Sequence, residues 1–262
     1  MDSGSQEKDL LTGYKFSGGD WSFTSLDLPK ELPLTLYING LELVTILCTP
    51  KKLNCLVLGF LYNEGVISGI ADVLTMRVCE EDGLADVRLR NLEFKAPERR
   101  TLTSGCGGGS SLIDRGRRVL SDTFYKPQEI LFLMKKFRES MEGVKETGGV
   151  HVSALADREK ILIVTEDIGR HNTIDKIQGE CLLSGISTKD RILLTTGRIS
   201  SEMVLKASMM EIPILVSMRT PTERAVYLGK ELGICIVAHV RGNHFIVYSH
   251  PLRVSDSHLS RG

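Results

Sequence analysis

The sequence lacks an excess of either charge: 33 lysines and arginines balance 33 aspartates and glutamates. No overall field draws the chain to nucleic acid or to an anionic membrane, so an anion site has to be assembled locally. No apolar run reaches the roughly eighteen residues that cross a bilayer. Met1 to Thr12 has neither the basic start nor the apolar stretch of a secretory signal. These absences point to a cytoplasmic protein whose partners include no nucleic acid and no membrane. Internal repeats and long low-complexity tracts are missing as well. So is any CxxC pair: Cys48, Cys55, Cys79, Cys106, Cys181 and Cys235 are scattered. In a reducing compartment all six are expected as free thiols.

What is present is a chain of 262 residues, 42% hydrophobic, long enough to bury a core without disulfides or metal. Period-two alternation predicts strands over much of the stretch from residue 12 to about residue 100. Leu34 to Ile38 and Leu41 to Ile46 flank Asn39-Gly40, a strong hairpin signal. Pro50 opens a helix through Glu64, with Leu53, Leu56, Val57, Phe60 and Leu61 on one face. A second hairpin joins Thr75 to Cys79 with Ala85 to Leu89 through Asp82-Gly83. The second half begins with an amphipathic helix from Pro127 to Met141. Strands at Val150 to Leu155 and Ile161 to Val164 follow. Helices near Thr173 to Leu183, Ser200 to Met210 and Pro221 to Leu232 then alternate with strands at Arg191 to Thr195 and Ile212 to Ser217. A closing hairpin, Ile234 to Val240 with Phe245 to Ser249, ends the pattern. That rhythm argues for an α/β sheet with crossover helices. The division expected is a tail at residues 1–11, a β-rich part at 12–102, a glycine-rich loop at 103–111, an α/β domain at 112–255 and a tail at 256–262.

In such sheets ligands gather where strand ends hand over to helix starts, and free helix N–H groups suit phosphate. Three handovers are unusually polar. The first is Glu166-Asp167-Ile168-Gly169-Arg170-His171-Asn172, continued by Asp175-Lys176; here Asn172 is read as the helix cap, with Arg170, His171 and Lys176 facing an anion. The second is Thr195-Thr196-Gly197-Arg198. The third is Ser217-Met218-Arg219-Thr220-Pro221, where Thr220 with Glu223 reads as a capping box. Each alone is also what an ordinary capped helix looks like; together they suggest a phosphate-rich ligand such as a nucleotide.

Cys106 stands apart from the other cysteines. Five have apolar or strand-like neighbours, as in Ile234-Cys235-Ile236, and read as small buried hydrophobes. Cys106 sits between Gly105 and Gly107-Gly108-Gly109, surroundings unsuited to packing a thiol. An inert linker cysteine fits that setting, and so does a reactive thiol on a reaching arm, which must become a thiolate to act. A Cys/His hydrolase pairing Cys106 with His151 or His171 is a further possibility, set against the poor positional control that glycine neighbours give a nucleophile. The zinc-deaminase signature, H-x-E with P-C-x-x-C, is missing, so no zinc is expected.

The sequence resembles the FdhD/NarQ family of formate dehydrogenase accessory sulfurtransferases. The resemblance rests on Leu58-Gly59-Phe60-Leu61 with Glu64-Gly65, Ser104-Gly105-Cys106-Gly107, Thr147-Gly148-Gly149-Val150-His151, the block from Glu166 to Asn172 with Asp175-Lys176, Thr196-Gly197-Arg198, and Arg241-Gly242 followed by Phe245 to Pro251. It implies a homodimer with a mainly-β N-terminal part and a C-terminal cytidine-deaminase-like three-layer α/β domain without zinc. It also implies a sulfurtransferase that takes sulfur from a cysteine desulfurase as a persulfide on Cys106. The sulfur then passes to the molybdenum bis(molybdopterin guanine dinucleotide) cofactor, Mo-bisMGD, of the formate dehydrogenase catalytic subunit. The terminal segment Phe245, Ile246, Val247, Tyr248, Ser249 and His250 matches the family's cofactor-binding stretch. Arg170, His171, Asn172, Gly197, Arg198 and Arg219 are natural partners for the guanine nucleotide phosphates, and a free guanine nucleotide is the expected mimic. One departure stands out: many members carry a second cysteine where this chain has Gly109, followed by Ser110. Either one cysteine suffices, or the protein is a chaperone that delivers the cofactor without itself carrying sulfur.

Overall fold

A computed structural model describes residues 11–26, 28–93, 101–102, 110–111, 116–141 and 149–255. Cys106 lies outside the described residues. The first described element is a hairpin, β1 (Leu11–Ser17) and β2 (Asp20–Leu26), whose strands pair only with each other among the described residues. Leu11, expected at the end of a tail, is already in strand.

Strands β3 (Leu32–Ile38) and β4 (Leu41–Cys48) form the hairpin that Asn39-Gly40 predicts. Both turn residues have positive φ, 52° and 85°, as a two-residue turn matched to strand twist requires. Helix α1 (Leu53–Asn63) follows, then β5 (Val73–Cys79) and β6 (Leu84–Leu89). The four strands form one sheet in the order β4-β3-β6-β5, with β3 and β6 parallel. Leu34, Leu36 and Ile38 alternate inward from β3 and share a core with Leu56, Val57, Phe60 and Leu61 of α1. Two short strands, β7 (Thr101–Leu102) and β8 (Ser110–Ser111), pair antiparallel, so residues 110 and 111, expected in the loop, lie in a strand.

The second half contains α2 (Pro127–Ser140), β9 (His151–Ala156), β10 (Ile161–Asp167), α3 (Arg170–Ser184), β11 (Ile192–Thr195), α4 (Ser201–Met209), β12 (Ile214–Ser217), α5 (Glu223–Leu232), β13 (Cys235–Arg241) and β14 (His244–Val247). The six strands form a mixed sheet in the order β10-β9-β11-β12-β13-β14, with β11, β12 and β13 parallel and joined by α4 and α5. Leu155, Leu193, Leu215 and Ile236 pack under α3, α4 and α5, while Ala154, Leu194, Val216 and Val237 face α2. The central strands are therefore covered on both sides, which explains their continuous apolar runs. The fold is mixed α/β.

Helices α1 and α3 join the two halves at backbone contact. A Cβ on Gly59 would overlap the Asp175 carbonyl, and one on Gly179 the Cys55 carbonyl. Glycine inside a helix costs about 1 kcal/mol relative to alanine; here it permits a crossing that no larger residue allows.

Candidate functional site

Strands β10, β11, β12 and β13 end at one edge of the six-stranded sheet, and antiparallel β9 begins there. This topology brings together His151, the Asp167-Ile168-Gly169-Arg170 turn, Thr195-Thr196-Gly197-Arg198 and Ser217-Met218-Arg219. Hydroxyl groups hold the Gly197 turn in place. Thr195 Oγ1 accepts from the Gly197 N–H (3.1 Å), and Ser217 Oγ donates to the Gly197 carbonyl (2.6 Å) while accepting from the Arg219 N–H (2.9 Å). A Cβ on Gly197 would lie 3.1 Å from Arg170 Cβ and 3.5 Å from His151 Nδ1. The glycine leaves the room in which an arginine and a histidine meet. Arg170 is buried, whereas Arg198 and Arg219 are exposed. Burial, then the charges of Arg170 and Arg219, lower the His151 pKa, with Asp167 opposing. A positive edge with a neutral imidazole at pH 7 results.

His171 does not face this edge as a free cation. Its Nε2 lies 3.0 Å from Ser200 Oγ and its Nδ1 3.2 Å from Glu202 Oε2, with all three residues largely enclosed. Burial first, then Lys206 and Arg170, push the His171 pKa well below its ordinary value. Burial raises Glu202 to about 7, against the pull of Lys206. Low dielectric disfavours both charges, so the pair is driven toward a carboxylic acid beside a neutral imidazole. Ser200 is hydrogen-bonded to the imidazole, whereas Glu202 Oε2 lies beside it without a hydrogen bond. Sequence reasoning missed Ser200 and Glu202. Ser200 was read only as the start of a helix, where its side chain makes no capping bond.

Several expectations about the first handover are corrected. Helix α3 starts at Arg170, with Gly169 at the cap position, so Asn172 is not the cap. The Asn172 amide instead donates to Leu47 O and Asp167 Oδ1, both at 2.8 Å. Lys176 faces no anion site: it is buried, 2.6 Å from Asp167 Oδ2, and bonds the carbonyls of Thr49 and Glu166. Asp167 also accepts from the N–H groups of Thr49 and Gly169. The residues that looked like ligand contacts tie α3 to the end of β4. A second buried pair, Lys206 with Asp175 at 2.6 Å, is joined by Glu64 at 3.5 Å and by Asn63, whose amide donates to Asp175. These carboxylates hold Lys206 in its charged form despite its burial. In the third handover the cap of α5 is Thr222, accepting from Ala225 N, while Thr220 and Pro221 precede the helix.

The segment Phe245 to His250 starts in edge strand β14 and continues past its end at Val247, so its two ends serve different edges of the sheet. Ile246 pairs with Ala238 near the charged edge. Ser249 is buried at the opposite one, donating to Ile234 O (2.7 Å) and accepting from Ile236 N (2.9 Å). His250 Nε2 meets the carbonyls of Gly229 and Lys230 at the end of α5. Phe245 and Val247 pack toward the α2 side and Tyr248 toward the α5 side. The fold does not bring Ser249 and His250 to Gly197, Arg198 and Arg219. His250 lines a separate open cleft of about 990 Å³ with Ser121, Thr123, Lys230 and Arg253.

The described cysteines are core thiols or half-buried. Burial raises Cys48, Cys181 and Cys235 to about 12, and Cys55 is raised for the same first reason. Among the described residues, no group of three or more His, Cys, Asp or Glu is placed to hold a metal ion, and no helix is long and apolar enough to cross a membrane.

Comparison with known proteins agrees over nearly the whole chain. A proteín of Bacillus subtilis (strain 168) named Sulfur carrier protein FdhD is 37% identical over 251 residues, covering 93% of this chain and 96% of its own. One of the same name from Staphylococcus aureus (strain MRSA252) is 34% identical and covers 95% and 98%. A crystal structure of a formate dehydrogenase accessory protein from Desulfotalea psychrophila superposes with a TM-score of 0.78 at 24% identity, covering 94% of this chain and 98% of that one; at that identity it speaks for the fold. The FdhD/NarQ family model matches residues 29–255, the span that holds both sheets, the glycine-paired helices and the charged edge, and the chain belongs to that family.

Proposed function

We propose that the protein carries sulfur for a formate dehydrogenase, with Cys106 bearing it as a persulfide. The observation that carries this reading is the state of the other thiols. Cys48, Cys55, Cys181 and Cys235 all have raised pKa values, so they are protonated at neutral pH and poor nucleophiles. Cys79 is half-buried within strand β5, which leaves Cys106, with its glycine neighbours, as the thiol best suited to the chemistry. The relatives named as sulfur carriers support the sulfur-carrying role. In the transfer, the Cys106 thiolate attacks the outer sulfur of a persulfide on a cysteine desulfurase. The donor's S–S bond breaks and the donor leaves as a thiolate, so sulfur moves without net oxidation.

The acceptor is Mo-bisMGD, taken as cargo. Its phosphates suit the edge bearing Arg170, Gly197, Arg198 and Arg219, where the missing Cβ of Gly197 leaves a cradle beside Arg170 and His151. His171 and Asn172 support that edge from behind, and the protein works as a homodimer. Labelled cysteine supplied through a desulfurase should leave label on the protein that reductant removes. Equal labelling of Cys106→Ser overturns the proposal.

Gly109, where many relatives of the family have a second cysteine, favours a second reading: a chaperone that delivers the cofactor without carrying sulfur. It requires Cys106→Ser to support full formate dehydrogenase activity, and loss of that support rejects it.

A further inference from the structure

The β1–β2 hairpin has two unlike faces. Tyr14 lies opposite Phe23 and Phe16 opposite Trp21, and residues directly opposite share a face. The ring pairs touch, with centroids 5.6 Å and 5.2 Å apart. Yet the four side chains are 74%, 65%, 58% and 70% exposed in that order. The reverse face carries Gly13, Lys15, Ser17, Asp20, Ser22 and Thr24, with Leu11 opposite Leu26 at its open end and no aromatic ring. Core-type residues therefore line the exposed face of a two-stranded sheet that pairs with no third strand among the described residues.

We infer that this aromatic face packs against the same face of a second copy of the chain, about a two-fold axis. A lone two-stranded hairpin is marginal in water, so its cover has to be permanent, which a client that comes and goes does not provide. Lys15 and Asp20 are the only charges in residues 11–26, and they cancel, leaving nothing to attract phosphate or anionic lipid. Aromatic side chains of about 150–250 Å² each, exposed by about two-thirds, offer roughly 500 Å² per copy. Face to face they bury roughly 1,000 Å², the area at which a specific interface begins. A two-fold contact satisfies both copies with one self-complementary patch. The inference names the surface behind the homodimer and stands independently of the sulfur reading.

Trp21 is the sole tryptophan, so its emission reports this face directly. Sedimentation and light scattering of the full chain at micromolar concentration should give a dimer with blue-shifted emission that is protected from acrylamide. Dilution should shift the emission red as the dimer separates. Phe16→Ser with Phe23→Ser should weaken the dimer about 100-fold or more, with far-UV circular dichroism unchanged. A monomeric wild type, a dimer with fully quenchable Trp21, or a folded double variant that dimerises normally each overturns the inference. So does a monomer whose Trp21 becomes protected only on adding formate dehydrogenase, which would assign the face to that client.

Discussion

Helix α3 presents buried ionisable groups in two environments, and they settle in opposite states. Toward α1 and β4, Asp167 meets Lys176 and Asp175 meets Lys206, each at 2.6 Å. Toward the start of α4, His171 meets Glu202 at 3.2 Å, with the carboxyl raised to about 7 and the imidazole well lowered. Burial penalises every charge in both places. The close carboxylates beside Lys206 hold it in its charged form, whereas the longer histidine–glutamate contact relaxes toward neutrality. The first set positions the helix; the second can exchange a proton near neutral pH.

The largest test of this contrast is Asp175→Ala. It strands the Lys206 charge beside the more distant Glu64, and denaturant unfolding should show a loss of about 3–5 kcal/mol. On the other side, Glu202→Gln should change how stability depends on pH. Because the folded Glu202 pKa is raised, from 4.5 to about 7, its contribution is fully present below the unfolded pKa and is lost as pH rises to about 7. The His171 pKa is lowered, so its contribution runs the other way, growing as pH rises toward its unfolded value. Removing the carboxyl should therefore make the variant progressively more stable than wild type from pH 4.5 to about 7, levelling near 3 kcal/mol above that. Urea titrations across this range give the curve, and a flat difference refutes the raised pKa.

Gly197→Ala should be smaller in stability and clearer in binding. Its Cβ crowds Arg170 and His151, a cost of about 1–3 kcal/mol, and guanine nucleotide affinity measured by calorimetry should fall about tenfold if this turn cradles phosphate. Arg198→Ala lies on the surface and should leave stability within about 0.5 kcal/mol. Weaker nucleotide binding with a shallower salt dependence would mark Arg198 as a phosphate contact; unchanged binding would remove it from the site.

Local chemistry was well preserved in the residue pattern. Asn39-Gly40 has the positive φ values of a hairpin turn, and alternation in Leu34 to Ile38 marks the buried face of β3. The rhythm of helix and strand after Val150 reproduces the order of β9 to β14, because each element carries its own period. The β1–β2 hairpin was readable but unplaced: Tyr14 and Phe16 alternate before Gly18-Gly19, as Trp21 and Phe23 do after it. Helix starts were less legible. Asn172 and Thr220 both have capping chemistry, but Asp167 claims the Asn172 amide and Thr222 supplies the cap of α5. Capping propensity belongs to a residue; its partner is chosen by the fold.

By itself, the sequence determined the succession of elements, the apolar faces that pack them and the three polar strand ends, since these follow from local periodicity and backbone preference. Tertiary structure alone decided which polar residues serve a site and which brace it. Lys176 and Asn172 look like ligand groups beside Arg170 and His171, yet they turn inward to Asp167 and the end of β4, more than 120 residues away in the chain. It also divided Phe245 to His250 between two edges and joined Ser200 and Glu202 to His171. Such choices depend on which side chains a fold encloses together, where an unpaired polar group is costly, and no local window of residues contains that information.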